Sequence, residues 1–152
     1  YIKDHPENNY IIAPHELQHI SALQKQTNAL LFSEAGNTNI SNSNVLIIDS
    51  IGILSSIYQY GKLAYIGGGF GVGIHNILEA VAFGLPVIFG PNYQKFNEAT
   101  ELIKQKGAIS ISNYKELTSA IDFFSAFDNS IAINYIQENS GATTKILNSI
   151  IT

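Results

Sequence analysis

Short, unbroken apolar runs alternate with helical patterns along most of this chain, and that alternation restricts the fold more than any other feature. Tyr10-Ile11-Ile12-Ala13, Val45-Leu46-Ile47-Ile48, Leu63-Ala64-Tyr65-Ile66 and Pro86-Val87-Ile88-Phe89 are continuous runs, with no polar residue at every second place. Strands of that kind are buried on both faces, as in parallel sheets covered by helices. Residues 29–32 and 108–111 are shorter candidates of the same type. Between the runs, Leu17, Ile20 and Leu23 recur at helical spacing and predict a helix over 15–26. Ser50 is placed to cap a helix over 51–60 that Gly61 stops. Further helices are expected over 75–83 before Gly84, over 96–105 before Gly107, and from a cap at Asn113 to about Phe127. Two more, over 130–138 and 142–151, close the chain, and 36–44 is a polar loop rich in Asn and Ser. The order is β-α repeated, then helices. It predicts an α/β fold: a Rossmann-like, doubly wound parallel sheet with right-handed crossovers.

A length of 152 residues suits one domain. Charged residues make up only 13%, and apolar ones 45%, which excludes a disordered chain. A net charge of −4 argues against nucleic acid as a partner, since such domains present a basic face. It leaves room for one small phosphorylated ligand, because backbone N–H groups can supply the local field. With no Cys, neither a disulfide nor thiol chemistry is available. No apolar stretch reaches the length of a membrane span. The chain has no Met and opens on Tyr1-Ile2-Lys3-Asp4, so it reads as a piece of a longer protein.

In doubly wound sheets ligands sit beyond the carboxyl ends of the strands. Pro14-His15, Asp49-Ser50-Ile51-Gly52 and Gly90-Pro91-Asn92 fall at such ends. So does a glycine run, Gly67-Gly68-Gly69-Phe70-Gly71-Val72-Gly73, which holds five glycines in seven residues. Its spacing fails the dinucleotide fingerprint and lacks the Lys-Ser/Thr pair of a P-loop. What remains is a flexible backbone ahead of a helix start. Gly68 and Gly69 could let N–H groups approach a phosphate, or could serve only a tight turn and close packing. Asn76 and Glu79 also have two readings. Their spacing is that of a capping box, in which the Glu folds back on the cap. Alternatively Glu79 accepts hydrogen bonds from a ribose diol, as an acidic residue does in other doubly wound nucleotide sites. His75 could be an acid, a phosphate donor or a packed polar residue. His15, Glu16 and His19 lack a third partner of the right spacing for zinc, so no metal is expected. Tyr93, Lys95 and Asn97 could line the cleft or stand in solvent. Phe123, Phe124 and Phe127 are expected in the core.

The stretch from Tyr65 to Ala99 resembles the C-terminal domain of the 3-deoxy-D-manno-octulosonic acid (Kdo) transferases. The Gly-Gly run, His75-Asn76-x-x-Glu79 and Pro86-Val87-x-x-Gly90-Pro91 carry the likeness. Ile11-Ile12-Ala13-Pro14-His15-Glu16, Asp49-Ser50-Ile51-Gly52 and Gly141-Ala142-Thr143 extend it over nearly the whole chain. The resemblance implies the C-terminal half of a GT-B glycosyltransferase, which moves Kdo from CMP-Kdo to a lipid A precursor in lipopolysaccharide biosynthesis. It implies inversion, and neither metal nor other cofactor. By resemblance, Pro14, His15, Ile51, Gly52, Ile53, Asn76, Ile77, Leu78 and Glu79 fall on CMP-contacting positions, with Gly68, Gly69 and His75 beside them. The family's general base lies in an N-terminal acceptor half, so these residues alone should bind donor without turnover. The full-length enzyme is expected at the cytoplasmic face of the inner membrane, which it would touch through that other half. Two departures stand out. The family's Arg next to the first His is missing here, and His15 replaces a bidentate phosphate partner only in part. An acidic residue often found after the Asp-x-x-Gly glycine is Ile53. Two rivals remain: another GT-B transferase or epimerase domain using a UDP-sugar, and a non-catalytic flavodoxin-like or receiver module. The latter lacks the acidic cluster a receiver needs after its first strand.

Overall fold

The computed structural model describes residues 1–36, 43–141, 147 and 150. The chain divides into two units, Tyr1–Ser56 and Ile57–Thr152. In the first, β1 (Tyr10–Ile12) and β2 (Leu30–Leu31) each pair in parallel with β3 (Val45–Ile47). A turn of 3₁₀ helix, Leu17–His19, leads into α1 (Ile20–Thr27), so the helix predicted over 15–26 is present but starts late. Val45 and Ile47 are buried at 1% and 0% exposure, with Ile20 and Leu23 of α1 packed against them. Ile11 stays 43% exposed. The expectation of burial on both faces therefore fails for β1, whose side chains are at best half-buried.

In the second unit the central strand meets that expectation, whereas Tyr65, in the strand over 64–66, is 52% exposed. Here β4 (Ala64–Ile66), β5 (Val87–Phe89) and β6 (Ala108–Ser110) form a parallel sheet with β5 at its centre. Val87, Ile88 and Phe89 are all fully buried. Val87 and Phe89 face a cluster built from α3 (Leu78–Val81), α4 (Asn97–Lys104) and α6 (Ser130–Asn139). Ile88 faces the other way, onto Ala120 and Phe124 of α5 (Tyr114–Phe124). Burial of each such side chain stabilises by roughly 1.5–3 kcal/mol. This is why Pro86-Val87-Ile88-Phe89 is apolar without a break. Phe124 is core as expected, whereas Phe123 is 54% exposed, because successive helical residues point about 100° apart.

The helix ends follow local chemistry. Asn113 accepts from the N–H of Glu116 at 3.0 Å. The Glu116 carboxylate returns to the N–H of Ser112 at 2.7 Å and the Asn113 amide at 2.8 Å. The first bond satisfies one of the orphan N–H groups of this helix start, and the other two fix the cap and the residue before it. At the C-terminus of α4, Lys106 donates to Ile103 and Gly107 to Leu102. That pattern is a Schellman end, and its left-handed residue is Lys106, at φ 63°. Gly107, read from the sequence as the stop, is the residue after it. A Cβ at Gly107 would lie 3.2 Å from Leu102 Cδ2 and 3.3 Å from Ile131 Cγ2, so these side chains would have to give by a few tenths of an ångström. The short α2 (Leu54–Ile57) starts three residues later than the sequence suggested, so Ser50 does not cap it. The closing helix expected over 142–151 lies outside the described residues, apart from 147 and 150.

A lysine held at positive φ costs about 1 kcal/mol relative to glycine. Lys106→Gly should therefore raise the melting temperature, while Lys106→Ala should not. Asn113→Ala should cost about 1 kcal/mol through loss of the cap. Thermal and urea unfolding of the three variants checks both statements.

Candidate functional site

Five glycines beyond β4 do not lie loosely. The loop closes on itself, with the His75 N–H bonded to the Gly67 carbonyl at 3.1 Å and Gly71 N–H to Gly68 at 2.8 Å. Gly68 has φ 86°, and a Cβ there would sit 2.2 Å from the Gly73 carbonyl oxygen. Gly69 meets Gly90 main chain to main chain: a Cβ on Gly69 would lie 2.6 Å from the Gly90 nitrogen. Asn92, just past β5, clamps the loop from the side. Its N–H bonds to the Gly69 carbonyl at 2.9 Å and its amide to the Gly71 carbonyl at 2.7 Å. Gly68 and Gly69 thus have a complete packing explanation. The side chains at the loop tip point outward, with Phe70 56% exposed and Val72 fully so. Asn92 was not singled out by sequence reasoning as a residue with a task; the Gly-Pro-Asn after β5 was its only signal.

The loop delivers four residues to the start of α3. His75 is exposed, and its ring lies over Gly67 and Gly68, with Cδ2 3.5 Å from where a Gly67 Cβ would stand. Asn76 is exposed too, while Ile77 goes into the core at 1% exposure, so it can offer a ligand main chain only. Leu78 is 37% exposed. The helix expected over 75–83 is a four-residue turn, Leu78–Val81. Asn76 delays its start by accepting the Leu78 N–H at 3.0 Å, and Gly84, at φ 77°, ends the following turn. A helix dipole at residues 73–76 is therefore not available to a phosphate, because the field scales with aligned peptides and few are aligned here.

Glu79 is held differently from Glu116, at the same Asn-x-x-Glu spacing. Its Oε1 accepts from the Asn76 amide at 2.9 Å. It does not fold back on a backbone N–H, and among the described residues its Oε2 accepts no hydrogen bond. The capping box read from the sequence is thus not closed, and a partly buried carboxylate keeps one oxygen for another donor. Tyr58, which sequence reasoning passed over, stands close enough to feel it. Burial, and then the Glu79 charge, push the Tyr58 phenol up.

The remaining predicted residues lie in the first unit, beyond the carboxyl ends of the paired strands β1 and β3. Pro14 is half-buried and His15 exposed. Ile51 is 86% exposed, and Ile53 half-buried. Gly52 has φ 94° with open space around it, so the turn requires glycine for its backbone and not for room. Asp49 accepts from the N–H of Ser33 at 3.0 Å and from its hydroxyl, which ties the ends of β2 and β3 together. The Ser33 hydroxyl, and then its N–H, hold the Asp49 carboxyl below its usual range. His19 Nε2 lies 3.1 Å from Glu16 at the surface. Among the described residues no group of three or more His, Asp or Glu side chains could hold a metal ion. An open groove of about 340 Å³ beside β6, between Tyr93, Lys106 and Phe123, includes none of the predicted donor residues.

No family model matches the chain. Over 141 residues, 91% of its length, it is 31% identical to the 3-deoxy-D-manno-octulosonic acid transferase of Rickettsia prowazekii. Over 113 residues, 73% of its length, it is 32% identical to the transferase of that name from Aquifex aeolicus. The chain is a homologue of the Kdo transferases. It spans about a third of the length of these relatives, 29% and 32%. Its fold is that of the C-terminal half of a Kdo transferase of GT-B type: it superposes with TM-score 0.69 on the C-terminal CMP-Kdo binding domain of WaaA from Acinetobacter baumannii. That match covers 91% of this chain and 76% of the other, at 18% identity. The α/β class and parallel sheets expected from the apolar runs are thus those of a Kdo transferase domain.

Two outcomes follow from this geometry. Gly69→Ala should destabilise by about 1–3 kcal/mol, since main chain must shift to admit the methyl group. Gly71→Ala should be near neutral, because its Cβ would find only the Gly68 oxygen at 3.5 Å. Unfolding curves separate the two. The second outcome concerns acid. A carboxyl depressed on folding stabilises above its unfolded pKa of about 3.9, and that gain is lost as pH falls through the folded value. Ser33→Ala should thus lower the melting temperature at pH 7, and the gap from wild type should narrow below about pH 4.

Proposed function

We propose that residues 1–152 act as one donor-binding domain of a glycosyltransferase that moves Kdo from CMP-Kdo to a lipid A precursor. The observation that carries this reading is the 31% identity with a Kdo transferase over 91% of the chain. The likeness of fold to a CMP-Kdo binding domain supports it. So does Glu79, whose second carboxylate oxygen is left to accept from a ligand hydroxyl.

In this reading Glu79 accepts hydrogen bonds from the ribose hydroxyls of CMP. His75 and the main chain of residues 75–78 face the phosphate. His15 takes part of the role that an Arg plays in the family, and Ile51 and Ile53 border the base. As the bond from the anomeric carbon to the phosphate oxygen breaks, charge grows on the departing CMP, and fixed donors stabilise it. The new bond forms to an acceptor hydroxyl, whose proton goes to a base in the acceptor half of the enzyme. These residues alone therefore bind donor without turnover. No metal or other cofactor takes part. The whole enzyme works at the cytoplasmic face of the inner membrane. The described residues contain no helix long and apolar enough to cross it, and membrane contact is assigned to the other half.

Calorimetric titration of the chain with CMP, UMP and AMP tests this. CMP should bind best, and Glu79→Gln should weaken it about 10- to 100-fold, the worth of a hydrogen bond to a charged group. Equal CMP binding by Glu79→Gln would remove the ribose role. Tighter binding of UMP than CMP would favour a transferase that uses a UDP-sugar.

A further inference from the structure

The chain contains the Asn-x-x-Glu spacing twice, and the two copies are wired differently. At Asn113 the side-chain oxygen accepts the N–H three residues on, and Glu116 spends both oxygens, one on Ser112 N–H and one on the Asn113 amide. At Asn76 the oxygen accepts the N–H only two residues on, from Leu78 at 3.0 Å. Its amide nitrogen reaches Glu79 Oε1 at 2.9 Å. No backbone N–H competes for that carboxylate among the described residues. One side chain thus does two things, and its two ends can be changed separately. The oxygen fixes where α3 begins. The nitrogen fixes how the Glu79 carboxylate is turned.

Building on the ribose-binding reading of Glu79, we infer that Asn76 is a positioning residue: its amide holds Oε1 of Glu79 so that Oε2 faces the ribose 2′- and 3′-hydroxyls. A carboxylate can rotate about its last bond at little cost, since that torsion is broad. One fixed hydrogen bond removes the rotation before the ligand arrives, and a preorganised acceptor binds tighter than one ordered on binding. The Asn76 oxygen cannot do this, because a carboxylate needs a donor. Aspartate or serine at 76 keeps an acceptor for the Leu78 N–H, and both are good residues at a helix start. Neither presents the amide to Glu79. Aspartate also places a like charge next to it.

The test measures CMP and 2′-deoxy-CMP binding to the 152-residue wild-type chain, Asn76→Ser and Asn76→Asp, with melting temperatures of all three. Deoxy-CMP lacks one hydroxyl that Glu79 would accept, so the ratio of the two affinities reports the carboxylate and not the phosphate or base. The wild type should prefer CMP by about 10-fold or more, the scale of one hydrogen bond to a charged group. Both variants should melt within a few degrees of wild type and show a ratio falling toward 1, with deoxy-CMP affinity little changed in Asn76→Ser. A wild-type ratio retained in both folded variants would overturn the positioning role and leave the ribose role standing. A wild type with no preference for CMP would overturn the ribose reading, and this inference with it. If a variant melts far below wild type and loses both ligands equally, Asn76 serves only the helix start and the proposal fails.

Discussion

Gly69 and Gly90 touch main chain to main chain, and the candidate site of the second unit depends on that contact. With no side chain at either position, the loop after β4 can lie against the end of β5. There the Asn92 amide and N–H reach its carbonyls. The loop then returns to Gly67 through the His75 N–H. Held at both places, the loop leads the chain into His75, Asn76 and the start of α3. The glycines shape the backbone on which other residues present hydrogen-bonding groups.

The centre strand β5 anchors all of this. Buried on both faces, it is the least free element in the second unit. It carries Gly90 and Asn92 at its carboxyl end, so the groups that shape the loop sit on rigid support. A site placed this way needs little reorganisation when a ligand binds. Helix α3 is short: it starts where Asn76 lets it, and Gly84 ends the turn that follows. The cost is a weak helix dipole. On the proposed reading, recognition here falls to side chains, Glu79 above all, and to individual N–H groups.

The relation to the Kdo transferases sharpens the contrast at His15 and Ile53. An arginine gives a phosphate two parallel hydrogen bonds and a permanent charge. A histidine gives one bond, and a charge only when protonated. On the proposed donor-binding reading, more of the affinity rests on the groups around Glu79. That places weight on how the carboxylate is held, which is where the two Asn-x-x-Glu segments part company.

Unbroken apolar runs made the strands legible in the sequence, because burial on both faces leaves no place for a polar residue. Asn113 was legible as a helix cap, since its partner, the N–H of Glu116, lies three residues on. The resemblance carried by His75, Asn76 and Glu79 was legible as well, and with it the family. Other features were not. Nothing local marks Lys106, and not Gly107, as the left-handed residue, and the neighbours of Gly107 include Ile131 as well as Leu102. The late start of α3 and the open oxygen of Glu79 depend on the side chain of Asn76 choosing between two nearby N–H groups, a choice the incoming loop makes. The Gly69–Gly90 contact joins residues about twenty apart through the pairing of β4 with β5. Periodicity and near-neighbour hydrogen bonds determined the elements; which main-chain segments may touch was decided only when the sheet brought them together.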